Sequence, residues 1–303
     1  MQMGMLTKLI RTTGPTIVVL FTCLYAWSQE PQKPILVAGS DGIKSAVYEY
    51  GNPKGPEILL VHGFSQSHLI WAKQYKSPAL QDFRIVVIDL RGHGASDKPT
   101  NPESYNNSKI WASDIDAVIK AKNLKKPLIA GWSYGGFILC DYVREYGDSN
   151  LGGIVFVGAG TQLGTEEAKT HYGPGLKPMP GVVDPRQEIN IPSTIEFIKG
   201  FTANPLPAEE FQEVLAYNMA VSPEVRLGLI SRKIDSSDAL AKIKVPVLIV
   251  EGERDQLVLP VAAEYIAGKV KHAKMSYYPN VGHAPPVEDA ERFNRELAEM
   301  AKR

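Results

Sequence analysis

LIAGWSYGGFIL, residues 128–139, decides how the chain is read. It runs from a short apolar stretch, through Gly131-Trp132-Ser133-Tyr134-Gly135, into a segment whose apolar residues recur at helical spacing. A serine between two glycines at a strand-to-helix junction sits on a sharp turn with its hydroxyl outward, and the glycines let strand and helix approach closely. G-x-S-x-G also occurs by chance in turns that do nothing. The strand before it and the helix after it are what give the match meaning.

Working outward, the runs at 57–63, 83–90, 127–132, 151–158 and 246–252 are short, continuous and rich in Val and Ile, as strands buried on both faces are. A weaker strand-like run lies at 273–279, and alternation around Asp41-Gly42 predicts an early hairpin. Helical patterns at 105–123, 135–147, 260–270 and 287–302 fall between the runs. Alternating strand and helix predicts an α/β fold: a mostly parallel sheet with helices on both faces and right-handed crossovers. One interval, 161–237, has no buried-strand run. It opens Gly/Pro-rich and predicts helices starting at Ser193 (with Glu196 in capping-box position), near Ala208 and at Ser222-Pro223. We read it as a helical cap inserted between core segments 29–160 and 238–303, because a structureless loop of that length is improbable.

Composition removes several classes. A chain of 303 residues with an ordinary apolar fraction buries a full core, and 33 basic against 33 acidic residues give no field that draws nucleic acid. Lys125-Lys126 reads as a solvated helix end. The N-terminus differs from the rest: Lys8 and Arg11 precede an apolar stretch, 15–27, followed by the small residues Ala26 and Ser28. That is the layout of a signal peptide, 1–28, cleaved after Ser28, and it predicts an exported, periplasmic or extracellular protein with no membrane attachment once the leader is gone. The stretch is short of the ~20 residues of a span, so an uncleaved anchor ranks below cleavage, as does lipidation of Cys23 after the ill-suited Thr22. With the leader removed Cys140 is alone, so no internal disulfide is expected.

A serine hydroxyl attacks only when a base takes its proton and a carboxylate orients that base. Of six histidines, His283 lies in SYYPNVGHAPPVED, on a loop between a strand-like run and the last helical pattern, where it can reach the top of the sheet. As a bare polar turn residue it would have no task. His62 ends a strand and reads as structural, His93 sits in a Gly-rich loop, and His68, His171 and His272 read as solvated. For the acid, Asp255 follows the 246–252 strand, where catalytic groups collect in open α/β sheets. The competing reading makes Glu251, Glu253, Arg254 and Asp255 a surface ion-pair cluster. The order Ser133, Asp255, His283 matches one known triad arrangement. Backbone N–H groups of Phe64, in VHGFSQS, and of Tyr134 are the expected oxyanion donors. Trp132, Phe197, Phe201, Tyr217 and Met219 are candidates for an apolar pocket, although such residues at helical spacing more often make the core of a cap.

Taken together, LLVHGF (59–64), VVIDLRGHGASDKP (86–99), GWSYGG (131–136), VEGERDQLV (250–258) and NVGHAPPVED (280–289) resemble the α/β-hydrolase fold superfamily over nearly all of the chain beyond the leader. The resemblance implies an eight-stranded sheet, a triad of Ser133, Asp255 and His283, no metal or organic cofactor, and a cap lining the pocket for a small-molecule substrate. Haloalkane dehalogenases and epoxide hydrolases, otherwise similar, carry aspartate at the position of Ser133, which argues against both activities. The expected reaction is hydrolysis of a carboxylic ester of a small, largely apolar molecule through an acyl-enzyme. Carbon–carbon bond hydrolases, lactonases and cofactor-free haloperoxidase-like perhydrolases share the triad, and a ligand-binding receptor on a hydrolase scaffold is the alternative of another class.

Overall fold

The apolar runs become eight strands of one sheet in the computed structural model, which describes residues 32–303. The strands are β1 (Ile35–Ala38), β2 (Lys44–Gly51), β3 (Glu57–Val61), β4 (Arg84–Asp89), β5 (Leu128–Trp132), β6 (Gly153–Val157), β7 (Val247–Gly252) and β8 (Lys274–Tyr278). Their order across the sheet is β1-β2-β4-β3-β5-β6-β7-β8. β1 and β2 form the predicted antiparallel hairpin, with Gly42 at φ +83° in its turn, and β2 pairs antiparallel with β4. Every other neighbour is parallel. The chain leaves β3 for β4 on one side and returns to β5 on the other, so a crevice opens beyond the carboxyl ends of β3 and β5, where such sheets bind ligands. β3 to β7 are buried almost end to end, which is why they read as unbroken Val/Ile runs rather than alternating ones.

Two helices flanking that crevice, α1 (Ser108–Ala121) and α2 (Gly135–Tyr146), pack on one another. The pattern at 105–123 is not one helix: Asn107, extended, caps α1 by accepting from the Lys109 N–H at 2.9 Å and ends a separate turn at 103–106. Cys140 is buried in α2 as core packing and carries no disulfide.

The insertion departs from expectation at both ends. Gln162–Leu163 pairs antiparallel with Ile234–Asp235, a ribbon too short to leave a periodic signal. Between them lie α3 (Gln187–Lys199), α4 (Ala208–Met219) and α5 (Pro223–Ile230). Ser193 was expected to start a helix, yet α3 begins six residues earlier and runs through Pro192. A proline usually breaks the preceding turn. Here that turn is held from outside: Asn190 donates to Val182 O at 2.5 Å, and its Oδ1 accepts from Arg226 at 3.3 Å. Arg226, fully buried on α5, also donates to Val182 O, Thr194 Oγ1 and Asn218 O at 2.9, 3.0 and 2.6 Å. No carboxylate is among these partners, and burial lowers its pKa to about 10. One guanidinium therefore ties α3, α4 and α5 together, a tertiary contact that overrides the local proline signal. Residues 33–303 form one compact unit, with the insertion part of it. The predicted leader, 1–28, lies outside the described residues, and no helix among those described is long and apolar enough to cross a membrane.

The loops that leave β3 and β4 are pinned by buried histidines. His62 donates from Nδ1 to Gly63 O at 2.8 Å and accepts from Leu90 N–H at 3.0 Å. His93 donates to Arg91 O at 2.9 Å and accepts from Ser65 N–H at 3.2 Å. Both patterns need neutral rings, and burial lowers the two pKa values to about 4 and about 3. Asp89 closes the cluster by accepting from His68 N–H and Nδ1 and from Ala95 N–H. Burial alone would raise this carboxyl, but the His68 contacts hold it at about 2. His68 is thus mostly buried against Tyr48, and His171 packs fully buried against Tyr265, not solvated as expected. An unfolded chain protonates His93 near pH 6.5 whereas the native state resists until about 3, so this residue withdraws stability as pH falls through that window. In His93→Gln, urea unfolding between pH 6.5 and pH 3 should show a shallower loss of stability than in the parent.

Candidate active site

Ser133 follows β5 directly, at φ +55°, a left-handed conformation that costs a non-glycine residue about 1–3 kcal/mol. The turn is held on three sides: Ser133 N–H donates to Val157 O at 2.8 Å, and its carbonyl accepts from Gly136 and Gly160 N–H at 2.9 and 3.1 Å. Gly135 makes the geometry possible, since a Cβ there would stand 2.8 Å from Val61 O on the neighbouring strand. Ser133 is half-buried while the residues on either side of it in the chain are buried.

Asp255 turns back over the end of β7, with its N–H on Gly252 O at 3.1 Å. Its Oδ1 accepts from the N–H groups of Leu257 and Val258 at 2.7 and 3.0 Å, and Oδ2 accepts from His283 Nδ1 at 2.6 Å. Glu251 and Asp255 are buried and only Glu253 and Arg254 are exposed, which overturns the surface-cluster reading of this loop. His283 is fixed from several directions. Trp132 Nε1 donates to its carbonyl at 2.7 Å, and Glu288 accepts from Gly282 N–H at 2.8 Å and from Ala203 N–H of the insertion at 2.7 Å. With Nδ1–H given to Asp255, Nε2 is the ring's free acceptor.

Ser133 and His283 line one cavity together with Gly63, Phe64, Gln66, Trp132, Phe197, Phe201 and Leu257. Its free space is about 10 Å³, room for about one water molecule. The aromatic wall is continuous: Phe197 meets Phe64 edge-on at 5.8 Å and Phe201 at 4.9 Å, and Phe201 meets Trp132 at 5.9 Å. Neither the Phe64 nor the Tyr134 N–H has an acceptor among the described residues, although both residues are buried. Buried amides without an acceptor are rare and costly, and two occur in the segments next to Ser133.

Of the five residues read as pocket candidates, Trp132, Phe197 and Phe201 reach this cavity. Tyr217 instead lines a second cavity of about 300 Å³ with Leu69, Ile70 and Val214, and Met219 lines neither. Tyr217 and Met219 are two apart on α4, on opposing sides of a helix, so one wall cannot take both. Gln66 and Leu257 went unnoticed in the sequence; only the folded loops bring them to the serine.

Comparison with known proteins agrees with this fold. The sequence model of the alpha/beta hydrolase family matches residues 58–296. The chain belongs to that family. An esterase from Rhodococcus sp. ECU1013, of known structure, is 30% identical, with TM-score 0.84 over 89% of this chain and 99% of its own. A bifunctional esterase/perhydrolase of Acinetobacter calcoaceticus is 28% identical over 274 residues, 86% of this chain and 97% of that one. A non-heme haloperoxidase of Rhodococcus erythropolis is 26% identical over 275 residues, again 86% and 97%. Eight strands, mostly parallel, are the fold these relatives lead one to expect.

Gly158, just past β6, is the floor under the imidazole of this hydrolase-family member. It lies at φ +46°, and a Cβ there would stand 3.0 Å from His283 Nδ1. Gly158→Ala should displace the ring from Asp255 and lower kcat/KM for a short aryl ester roughly 10- to 100-fold, with far-ultraviolet circular dichroism unchanged.

Proposed function

We propose that the protein is a serine hydrolase that cleaves a carboxylic ester of a small, largely apolar molecule through an acyl-enzyme. The observation that carries this reading is the pairing of His283 Nδ1 with Asp255 across a shared cavity from a strained, partly exposed Ser133. His283 Nε2 takes the Ser133 proton as Oγ attacks the ester carbonyl. The tetrahedral oxyanion is held by the Phe64 and Tyr134 N–H groups, and the imidazolium, steadied by Asp255, hands its proton to the departing alkoxide. Water then attacks the acyl-enzyme, gives its proton to His283, and releases the acid with the proton returned to Ser133. The alkoxide and the hydroxide are never free in solution, which is what base catalysis contributes here.

About 10 Å³ cannot hold an ester, so binding requires the Phe197 and Phe201 walls to part from Phe64 and Trp132. In this reading 161–237 acts as a cap, and its aromatic face selects apolar acyl or alcohol groups. Perhydrolysis is a second reading, supported by the Acinetobacter relative: hydrogen peroxide replaces water on the same acyl-enzyme and leaves as a peracid.

Ser133→Ala should keep the fold and lose turnover of a short aryl ester by roughly 10³-fold or more, and a fluorophosphonate should label the parent at Ser133 alone. Full activity in the variant would refute the nucleophile; labelling without turnover would favour the receptor alternative. The leader supports an exported protein. N-terminal sequencing of exported material should begin at Gln29, and a membrane-bound form beginning at Met1 would overturn cleavage.

A further inference from the structure

The turn that brings Asp255 back over the end of β7 puts its N–H on Gly252 O and its carboxyl within interaction range of Glu251, the penultimate residue of that strand. Both carboxyls are buried, each residue 1% exposed. Their surroundings differ sharply. Asp255 is supplied with two amide N–H groups and the His283 ring. Neither oxygen of Glu251 meets a donor in hydrogen-bonding geometry among the described residues.

The elements around Glu251 bring it no cation. β6, on one side, carries no titratable side chain. β8, on the other, places Tyr277 opposite Glu251 in register. α6 (Pro260–Lys269), packed against β7, carries Glu264, Tyr265 and Lys269, and the Lys269 ammonium lies over the Tyr265 ring at 5.2 Å. The short turn at 285–288 carries Glu288, already engaged with Gly282 and Ala203. Glu253 and Arg254 are exposed on the loop. An anion in such a place has lost its water for little more than the nearby Gly252 amide, and it would face a second anion at Asp255. Burial, then Asp255, hold the Glu251 carboxyl well above the usual carboxylate range.

We infer that Glu251 is a protonated acid whose O–H donates to the remaining lone pair of Asp255 Oδ2, which makes it a positioning residue that tempers the His283 base. Two ionised carboxylates can offer each other only acceptors, whereas one shared proton satisfies both. Asp255 then accepts four hydrogen bonds, two at Oδ1 and two at Oδ2, which is its full capacity. The bond draws charge away from the oxygen facing His283, so the imidazolium is stabilised less than by a bare carboxylate. This inference rests on the roles given to Asp255 and His283 above.

The test uses Glu251→Gln and Glu251→Leu in the full chain with two readouts. One is the acid limb of the kcat/KM profile for a short aryl ester. The other is the proton NMR signal of His283 Nδ1–H followed through pH in the Ser133→Ala background, which needs no turnover. Gln still donates and carries no charge, so both midpoints should stay within about 0.2 pH unit of the parent. Leu donates nothing, so both should move upward by roughly half a unit or more. A downward shift in Glu251→Gln would mean that Glu251 is ionised and would overturn the inference. Unmoved midpoints in Glu251→Leu, with only thermal stability changed, would overturn it as well by making the residue filler. If Glu251→Leu does not fold, Glu251→Asn, too short to reach Asp255, takes its place with the same expected upward shift. Should Ser133 prove not to be the nucleophile, the NMR titration still decides the Glu251 inference by itself.

Discussion

Everything in the site depends on one backbone constraint, the left-handed turn at Ser133. A residue at φ +55° between a buried strand and a helix is unfavourable by itself and persists only because its surroundings over-determine it. Val157 O, Gly136 N–H and Gly160 N–H hold its peptide groups, and the closeness of α2 to β3 leaves it no other path. The turn does two things together: it lifts the serine hydroxyl clear of the sheet, and it leaves the Tyr134 N–H without a helical acceptor. The proposed nucleophile and one proposed oxyanion donor are therefore consequences of the same strain.

A second layer of contacts fixes Asp255 and His283 beside that turn. Asp255 is held by two amides, the His283 carbonyl by the Trp132 indole, and the His283 loop by Glu288, which also grips Ala203 of the insertion. Each contact satisfies a buried polar group and removes a degree of freedom from a reacting one, so stability and preorganisation come from the same bonds. The Glu288 clip has a further result. It joins the His283 loop to the segment that follows α3, the helix that carries Phe197.

Away from the serine, buried charge is handled in contrasting ways. Arg226 has no carboxylate partner; its two terminal nitrogens donate to neutral carbonyl, amide and hydroxyl oxygens, which lets one side chain unite three helices. His62 and His93 are kept neutral, and each spans two backbone groups that no strand could pair. These devices explain why VHGF and DLRGHG loops that look merely polar in sequence form the rigid rim of the crevice.

Much of this was legible before folding. Strands β3 to β7 are buried on both faces, so their Val/Ile runs announce them, and Ser133, Asp255 and His283 stand just past strand ends, in the chain order of the proposed nucleophile, acid and base. Local chemistry also marked the Asp41-Gly42 hairpin and the Ser222 cap, because turns and caps depend on neighbours in sequence. Three matters were decided only by tertiary contact. α3 runs through Pro192 because Asn190 and Arg226 hold the turn; Tyr217 and Met219 leave the serine cavity because the rotation of α4 is set by what it packs on; and Glu251 turns from a presumed surface acid into a buried neighbour of Asp255 because the 252–255 turn folds inward. Periodicity and motif report which residues are buried or reactive in kind. They carry no information about which buried groups from distant segments meet, and it is that meeting which fixes charge, pocket and base.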